Sequence, residues 1–356
     1  MSMRRFALFA LVFIIVGSGA LAAWDIDQTV GSNFAYYPDN HKGYPEGGGF
    51  LWPSYSPLDP ADDGDWTGGG LYGGADSDDP RVRKLGSGWG AVEIEGYYRF
   101  RATMPFLAGD GPLTSGNNLR FVVKPVLTPV SLHVENEVHF TPIAFLVLSG
   151  GISLGTGWPL DFLNLHGLAL NTQANIEDTE VSGFAGHYYL GGTFQFDLAA
   201  VVPGEMNHVV VQATAKARYM HYSKAEDMEA WYWRTEGDNF NGWEYRGDYA
   251  LGWMAPWKVN FLGIVAEHRF WLSKDIRESS TIDSGGWGSD FHKWRFGPAA
   301  NIDLGDGHGL TVVLHFKNGL YYTPETVYSR WFMDWDATGD KYVKIDRLAL
   351  AYSWNM

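Results

Sequence analysis

The sequence predicts an all-β chain that closes into an antiparallel, up-and-down transmembrane β-barrel. Three observations predict it. Large apolar residues alternate with polar or small ones over segments that often exceed ten residues. That is long against the ~5–6 residues of globular strands and fits the ~9–11 that cross a bilayer. The polar faces of these segments carry full charges at mid-strand, which suits a wet lumen. Short turns bearing glycine or proline alternate with long polar connections, as in barrels whose turns and loops lie at opposite ends.

The chain begins with a segment set apart from the fold. Two arginines, Arg4 and Arg5, precede the eleven apolar residues Phe6–Val16. Gly17-Ser18-Gly19 breaks that run, and Ala20-Leu21-Ala22 supplies a small-x-small cleavage site. Residues 1–22 therefore read as a secretory signal peptide, too short in its apolar part to span a bilayer as a helix. Residues 23–356 read as a single barrel domain.

Twelve strands are expected, with ten or fourteen as the alternatives: 24–37, 91–106, 118–126, 129–141, 143–157, 183–200, 208–222, 243–254, 257–272, 291–304, 309–322 and 343–356. In the second, Ile94, Tyr98 and Phe100 share one face and Glu93, Glu95, Arg99 and Arg101 the other. In the fourth, Val130, Leu132, Val134 and Val138 oppose His133, Glu135, Glu137 and His139. In the sixth, Tyr188, Leu190, Phe194 and Phe196 oppose His187, Thr193 and Gln195. The same alternation marks 208–222, 291–304 and 309–322. In 257–272 the apolar parity changes near Phe261-Leu262, which signals a β-bulge. Leu160–Leu170 is apolar enough for a short helix or extra pairing. Tight turns are expected at Gly305–Gly309, around Pro203-Gly204 and at Ala255-Pro256. Long polar loops are expected near 223–241, 273–290 and 323–341. Residues 38–90, rich in glycine and aspartate, form the first external loop by strand parity. That stretch is long enough to fold into the barrel mouth.

Composition excludes several classes. With no cysteine there is no disulfide scaffold and no Cys-ligated metal. Asp+Glu number 41 against 26 Lys+Arg, for a net charge of −15, which argues against a nucleic-acid partner. The 44 glycines exceed the ~25 that an average chain of this length holds. No segment reaches the ~18 consecutive apolar residues of a membrane helix.

The last segment carries the most specific signal. Leu348, Leu350, Tyr352, Trp354 and Met356 are apolar, and Ala349, Ala351, Ser353 and Asn355 between them are small or polar. This resembles the C-terminal signal strand of Gram-negative outer-membrane β-barrel proteins, although those usually end in Phe rather than Met. The resemblance implies an outer-membrane location in a diderm bacterium and contact with outer-membrane lipids. It also implies recognition of residues 343–356 by the barrel-assembly machinery.

Four candidate sites follow. The inward faces give a pore lining of Glu93, Glu95, Arg99, Arg101, Glu135, Glu137, Lys216, Arg218, Lys293, Arg295, Lys317 and Arg347, with Arg246, Glu244, Asp248, Asp197 and Asp303 also inward. Its charges would set solute preference. His133, Glu135, Glu137 and His139 form a metal-capable row. Neighbours on one strand face lie ~6.6–7 Å apart, wide for a shared metal, so the row reads as lumen lining and neither metal nor cofactor is expected. The aspartates at 62–65 and 76–79 lack the spacing of a calcium loop and read as a solvated surface.

Lastly, Tyr219-Met220-His221-Tyr222-Ser223 resembles the Tyr-x-His-x-Ser-Asn core of outer-membrane phospholipase A and, less closely, that of the lipid A deacylases. The resemblance implies His221 as general base and Ser223 as nucleophile. Here Lys224-Ala225 replaces Asn-Gly, and the orienting residue would fall at Thr235 or Glu236. The functional expectation is a porin-like passive channel for small hydrophilic solutes, not an enzyme. The alternatives are a closed barrel that binds partners through its acidic, aromatic-rich loops, and a lipid hydrolase using His221 and Ser223.

Overall fold

The computed structural model describes residues 24–38, 91–160, 165–170, 183–233, 236–322, 333 and 336–356. The signal peptide and all but the start of the 38–90 loop, with its aspartate clusters, lie outside the described residues. Twelve antiparallel strands close into one barrel, each hydrogen-bonded to its neighbour in sequence and the first to the last. They are β1 (Asp25–Tyr37), β2 (Ala91–Pro105), β3 (Asn118–Thr128), β4 (Ser131–Ile143), β5 (Leu146–Gly157), β6 (Ala185–Asp197), β7 (Val209–Tyr222), β8 (Gly242–Trp253), β9 (Val259–Trp271), β10 (Lys293–Gly305), β11 (His308–Tyr322) and β12 (Ala337–Asn355). All twelve expected strands are present. Closure pairs Thr29 with Asn355 and continues to Tyr36 with Leu348.

Alternation sets the faces. Ile94, Tyr98, Leu190, Phe194 and Ile264 project outward and are exposed, while Glu244, Arg269 and Asp346 project inward and are buried. Several register shifts adjust this pattern, two of which bear on the inner wall. One lies between Val259 and Phe261, at the expected change of parity. The other is in β12, where His315 pairs with Arg347 and Phe316 with Ile345, leaving Asp346 as the extra residue. Asp346 and Arg347 therefore both face the lumen, although they are adjacent in sequence.

Both ends of β1–β12 lie at one rim, the terminus end. The connections there include Asp306-Gly307, a two-residue hairpin with φ of 52° and 79°. Positive φ at both central positions defines the primed turn that matches strand twist, and Asp-Gly is its usual sequence. Asp197 and Asp303, expected inside, serve turns at this end instead. Asp197 accepts the Ala199 amide and lies 2.7 Å from His208, and Asp303 accepts the Gly305 amide.

The opposite rim carries the long connections and departs most from expectation. The last of them is shorter than expected, because β12 already begins at Ala337. Ser223, Lys224, Glu226 and Asp227 are exposed, but residues 231–233 and 238–240 do not form a solvated polar loop. They fold inward and pair Trp231–Trp233 with both Glu236–Asn239 and Leu168–Leu170. Trp231 and Phe240 are fully buried, packed with Leu168, Tyr222, Trp271 and Trp287. Four aromatics in this loop, Trp231, Tyr232, Trp233 and Phe240, supply the apolar area that outweighs the cost of ordering it. The apolar stretch 160–170 gives extra pairing among its described residues: Pro159–Leu160 pairs with Leu165–His166, outside the barrel sheet. Gly167 lies so close to the β3–β4 turn that an added Cβ would sit 1.8 Å from the Val130 carbonyl oxygen. Only glycine fits there.

Candidate functional site

The inner wall is built from charged side chains that alternate with the apolar outer face. Under the folded-in segment, Glu244 has no exposed side-chain surface and accepts hydrogen bonds from Arg218 and Arg269. Arg269 continues to Asp238 at 3.2 Å and to Asn239 Oδ1 at 3.2 Å. Lys293 reaches the same Asp238 at 2.6 Å. The segment across the mouth is thus tied to the wall by ion pairs as well as by aromatic packing.

A second network lies deeper. Glu267 on β9 receives Arg295 at 3.0 Å and Arg347 at 3.1 Å, and Asp346 receives Arg295 at 2.6 Å. The Glu267–Arg347 pair reaches from β9 to β12 past two intervening strands, so these side chains meet inside the barrel. Tyr37 donates to Glu93 at 2.8 Å, and Asn33 to Glu95 at 2.6 Å. Lys317 lies 3.6 Å from Asp346.

The β4 row is divided into pairs. His133 contacts Glu135 at 3.2 Å and His139 contacts Glu137 at 3.0 Å. Lys124 adds an ion pair to Glu135 at 3.1 Å, and Tyr189 donates to Glu137 at 2.7 Å. Among the described residues no group of three or more metal-capable side chains comes together. Lys216 lies over the Tyr189 ring at 5.0 Å and 3.9 Å from Asp248. Arg99 donates to Thr29 at 2.8 Å, and Arg101 pairs with Asp27 at 2.9 Å.

Between these groups lies a cavity of about 330 Å³, lined by Glu93, Glu135, Arg218, Arg246, Glu267, Arg295 and Arg347, with Trp231 and Trp233 on the mouth side. A second cavity of about 240 Å³ adjoins it, sharing Glu135, His187, Arg218, Arg246 and Asp248 and extending to Glu137, Tyr189 and Lys216.

The outer surface is the reverse of a soluble protein's. The Leu190 side chain is 73% exposed while Glu244 is 0% exposed. Large apolar side chains stand exposed on the outer face of strand after strand, a placement that lipid rewards and water penalises. The chain is a membrane-spanning β-barrel of the outer-membrane type. The barrel carries aromatic groups near both ends of its apolar band, as interfaces favour. Tyr188, Tyr219 and Trp243 cluster toward the long-loop end. Trp253 packs on Trp257, and Trp354 on His308, at the terminus end.

No known protein family and no curated protein matches the barrel's sequence. Among solved structures it is similar to a KdgM porin at 10% identity and a TM-score of 0.31, covering 73% of this chain and 91% of that one. It is similar to the outer membrane channel DcaP of Acinetobacter baumannii at 7% identity and 0.32, covering 95% and 99%. A Pseudomonas aeruginosa FadL homologue gives 8% and 0.32, covering 92% and 90%. With likenesses this distant, the architecture rests on the barrel's own strand pairing.

Among the described residues no hydrogen bond joins the two hydrolase candidates. His221 is exposed on the outer face, and Ser223 Oγ accepts the Phe184 amide at 3.0 Å, tying the 183–184 entry of β6 to the end of β7. Thr235 lies outside the described residues. Sequence reasoning missed Glu267, Arg269, Asp346 and Asp238 as members of the charged wall, whereas His187, expected on the polar face of its strand, does line the cavity. Glu267 and Arg269 were discoverable, because they alternate with Ala266, His268 and Phe270.

Proposed function

We propose that the barrel is a narrow channel of the outer membrane of a diderm bacterium, passing small hydrophilic solutes passively. The observation that carries this reading is the pair of adjoining cavities inside the barrel, lined by charges of both signs. A barrel of twelve strands lies between those filled by side chains (~8) and open porins (~16–18), so a constricted conduit suits its size. In this reading Glu93, Glu95, Arg99, Arg101, Glu135, Glu137, Lys216, Arg218, Lys293, Arg295, Lys317 and Arg347 line the path. Outer-membrane lipids cover the apolar band, and residues 343–356 present the strand that the barrel-assembly machinery engages. Refolded protein in a planar bilayer tests the proposal. Discrete ohmic current steps are expected, and a correctly folded but silent barrel would overturn it.

The aromatic segment across the mouth favours a second reading, a closed barrel that acts as a surface interaction protein. Silence in the bilayer, with binding of an external partner, is its signature.

A further inference from the structure

The arginines of the inner wall fall into two populations. Arg218, Arg269, Arg295 and Arg347, on β7–β12, each hold a carboxylate. Of the three arginines on β2 and β3, Arg99 and Arg120 do not. Arg101 alone has an ion-pair partner, Asp27, and both side chains are about a third or less exposed. Arg99 spends one nitrogen on the Thr29 hydroxyl, and its Nε is buried without a hydrogen-bond partner. No carboxylate lies within ion-pair distance of Arg99 or Arg120 among the described residues.

Register places the three together. Arg99 and Arg101 are two residues apart on the inner face of β2. Arg101 pairs across to Val122 and Thr103 to Arg120, so Arg120 sits diagonally beside Arg101. Glu137, opposite Val122 on β4, is already bonded to His139 and Tyr189. Toward the terminus end the inner face of β1 carries Asp25 and Asp27, opposite Thr103 and Arg101, while Asn301, Thr311 and Ser353 on other strands are uncharged. Three guanidiniums beside Asp25 and Asp27 leave a surplus of one positive charge on this patch of wall. Guanidiniums present forked donors that match oxyanions, and a partnerless buried Nε is a donor waiting for an acceptor.

We propose that Arg99, Arg101 and Arg120 form an oxyanion-binding site at the terminus-end mouth of the lumen, taking carboxylate- or phosphate-bearing small solutes. The site deepens the channel reading and rests on it for its physiological role. It lies at the opposite end from the aromatic segment. An anion leaving the chamber toward the terminus end therefore passes these arginines last.

Calorimetry on the folded protein in detergent micelles, with inorganic phosphate and with succinate, reads binding without requiring conduction. At least one oxyanion should bind, and the tighter of the two identifies the solute chemistry. Arg99→Gln and Arg120→Gln should each weaken that binding at least about tenfold, the loss of one charge-assisted hydrogen bond. Arg120→Lys should retain most of it, and Lys124→Gln, whose lysine is paired with Glu135, should leave it unchanged. Heat-modifiable migration of every variant certifies folding. No binding of either oxyanion, or binding that survives both glutamine substitutions, overturns the site. Bilayer recordings separate the two proposals. Current without oxyanion binding sinks the site and leaves the channel standing, whereas binding in a silent barrel sinks the channel and leaves the site.

Discussion

The Asp238 carboxylate lies 2.6 Å from the Lys293 ammonium, joining the segment folded across the mouth to the first residue of β10. Arg269 holds the same carboxylate from β9 at 3.2 Å. Asp238→Asn keeps the shape and removes the charge, leaving two cations short of a partner at a cost of about 1–3 kcal/mol. The segment should then leave the mouth more often. Single-channel recordings should show higher conductance or longer openings, with folding unchanged. Identical traces for variant and wild type would show that the segment does not control the path.

Glu244 is the most deeply buried charge of the wall, and it accepts hydrogen bonds from two arginines with a third, Arg246, 3.9 Å away. Removing one partner of a buried ion pair costs about 3–5 kcal/mol, because the other charge stays buried and uncompensated. Glu244→Ala should lower the temperature at which the barrel loses its heat-modifiable form. Glu244→Gln, still a hydrogen-bond acceptor, should lower it less. Exposed Asp303→Asn should leave it unchanged.

Trp354 faces outward at the terminus end and stacks on His308 with ring centres 5.6 Å apart. A charge on the lipid face costs ~2–4 kcal/mol at mid-membrane and less near an interface. Trp354→Asp should nevertheless deplete the membrane-embedded form by more than that cost implies, if residues 343–356 also guide insertion. Quantifying folded barrel in outer-membrane fractions checks this. Normal amounts would separate the strand from any guiding role.

Replacing both Arg99 and Arg101 by Glu reverses the local charge of the wall without touching the lipid face. In a potassium chloride gradient the reversal potential should move toward cation preference. Loss of insertion instead would mean that these side chains contact lipid.

The strands were legible because a period of two is a strong signal when it runs beyond ten residues. Phe261-Leu262 even disclosed a bulge, since two adjacent apolar residues cannot share one face. Asp346 was not legible. The bulge that turns it inward is a pairing event with β11, and local alternation assigns it to the outer face next to Arg347. The inward fold of 231–233 and 238–240 was hidden for a similar reason. Its aromatics are buried by Leu168, Trp271 and Trp287, which come from three other connections and strand ends. Of the candidate site, the charged faces of β2, β4, β7 and β10 could be read directly. Which charges pair, and which arginines stay without a carboxylate, depends on the closure of the ring.

The extra residue in β12 has a bearing on how the ring finds its final alignment. The seam with β1 runs from Leu348 to Asn355, wholly on one side of Asp346. Sliding β12 by one residue would turn Arg347 toward hydrocarbon and bring Leu348 into the polar interior. Two consecutive charges that both belong inside therefore work as a key at the seam: the cylinder locks in one setting, and a misaligned closure is penalised at once by the residues beside it.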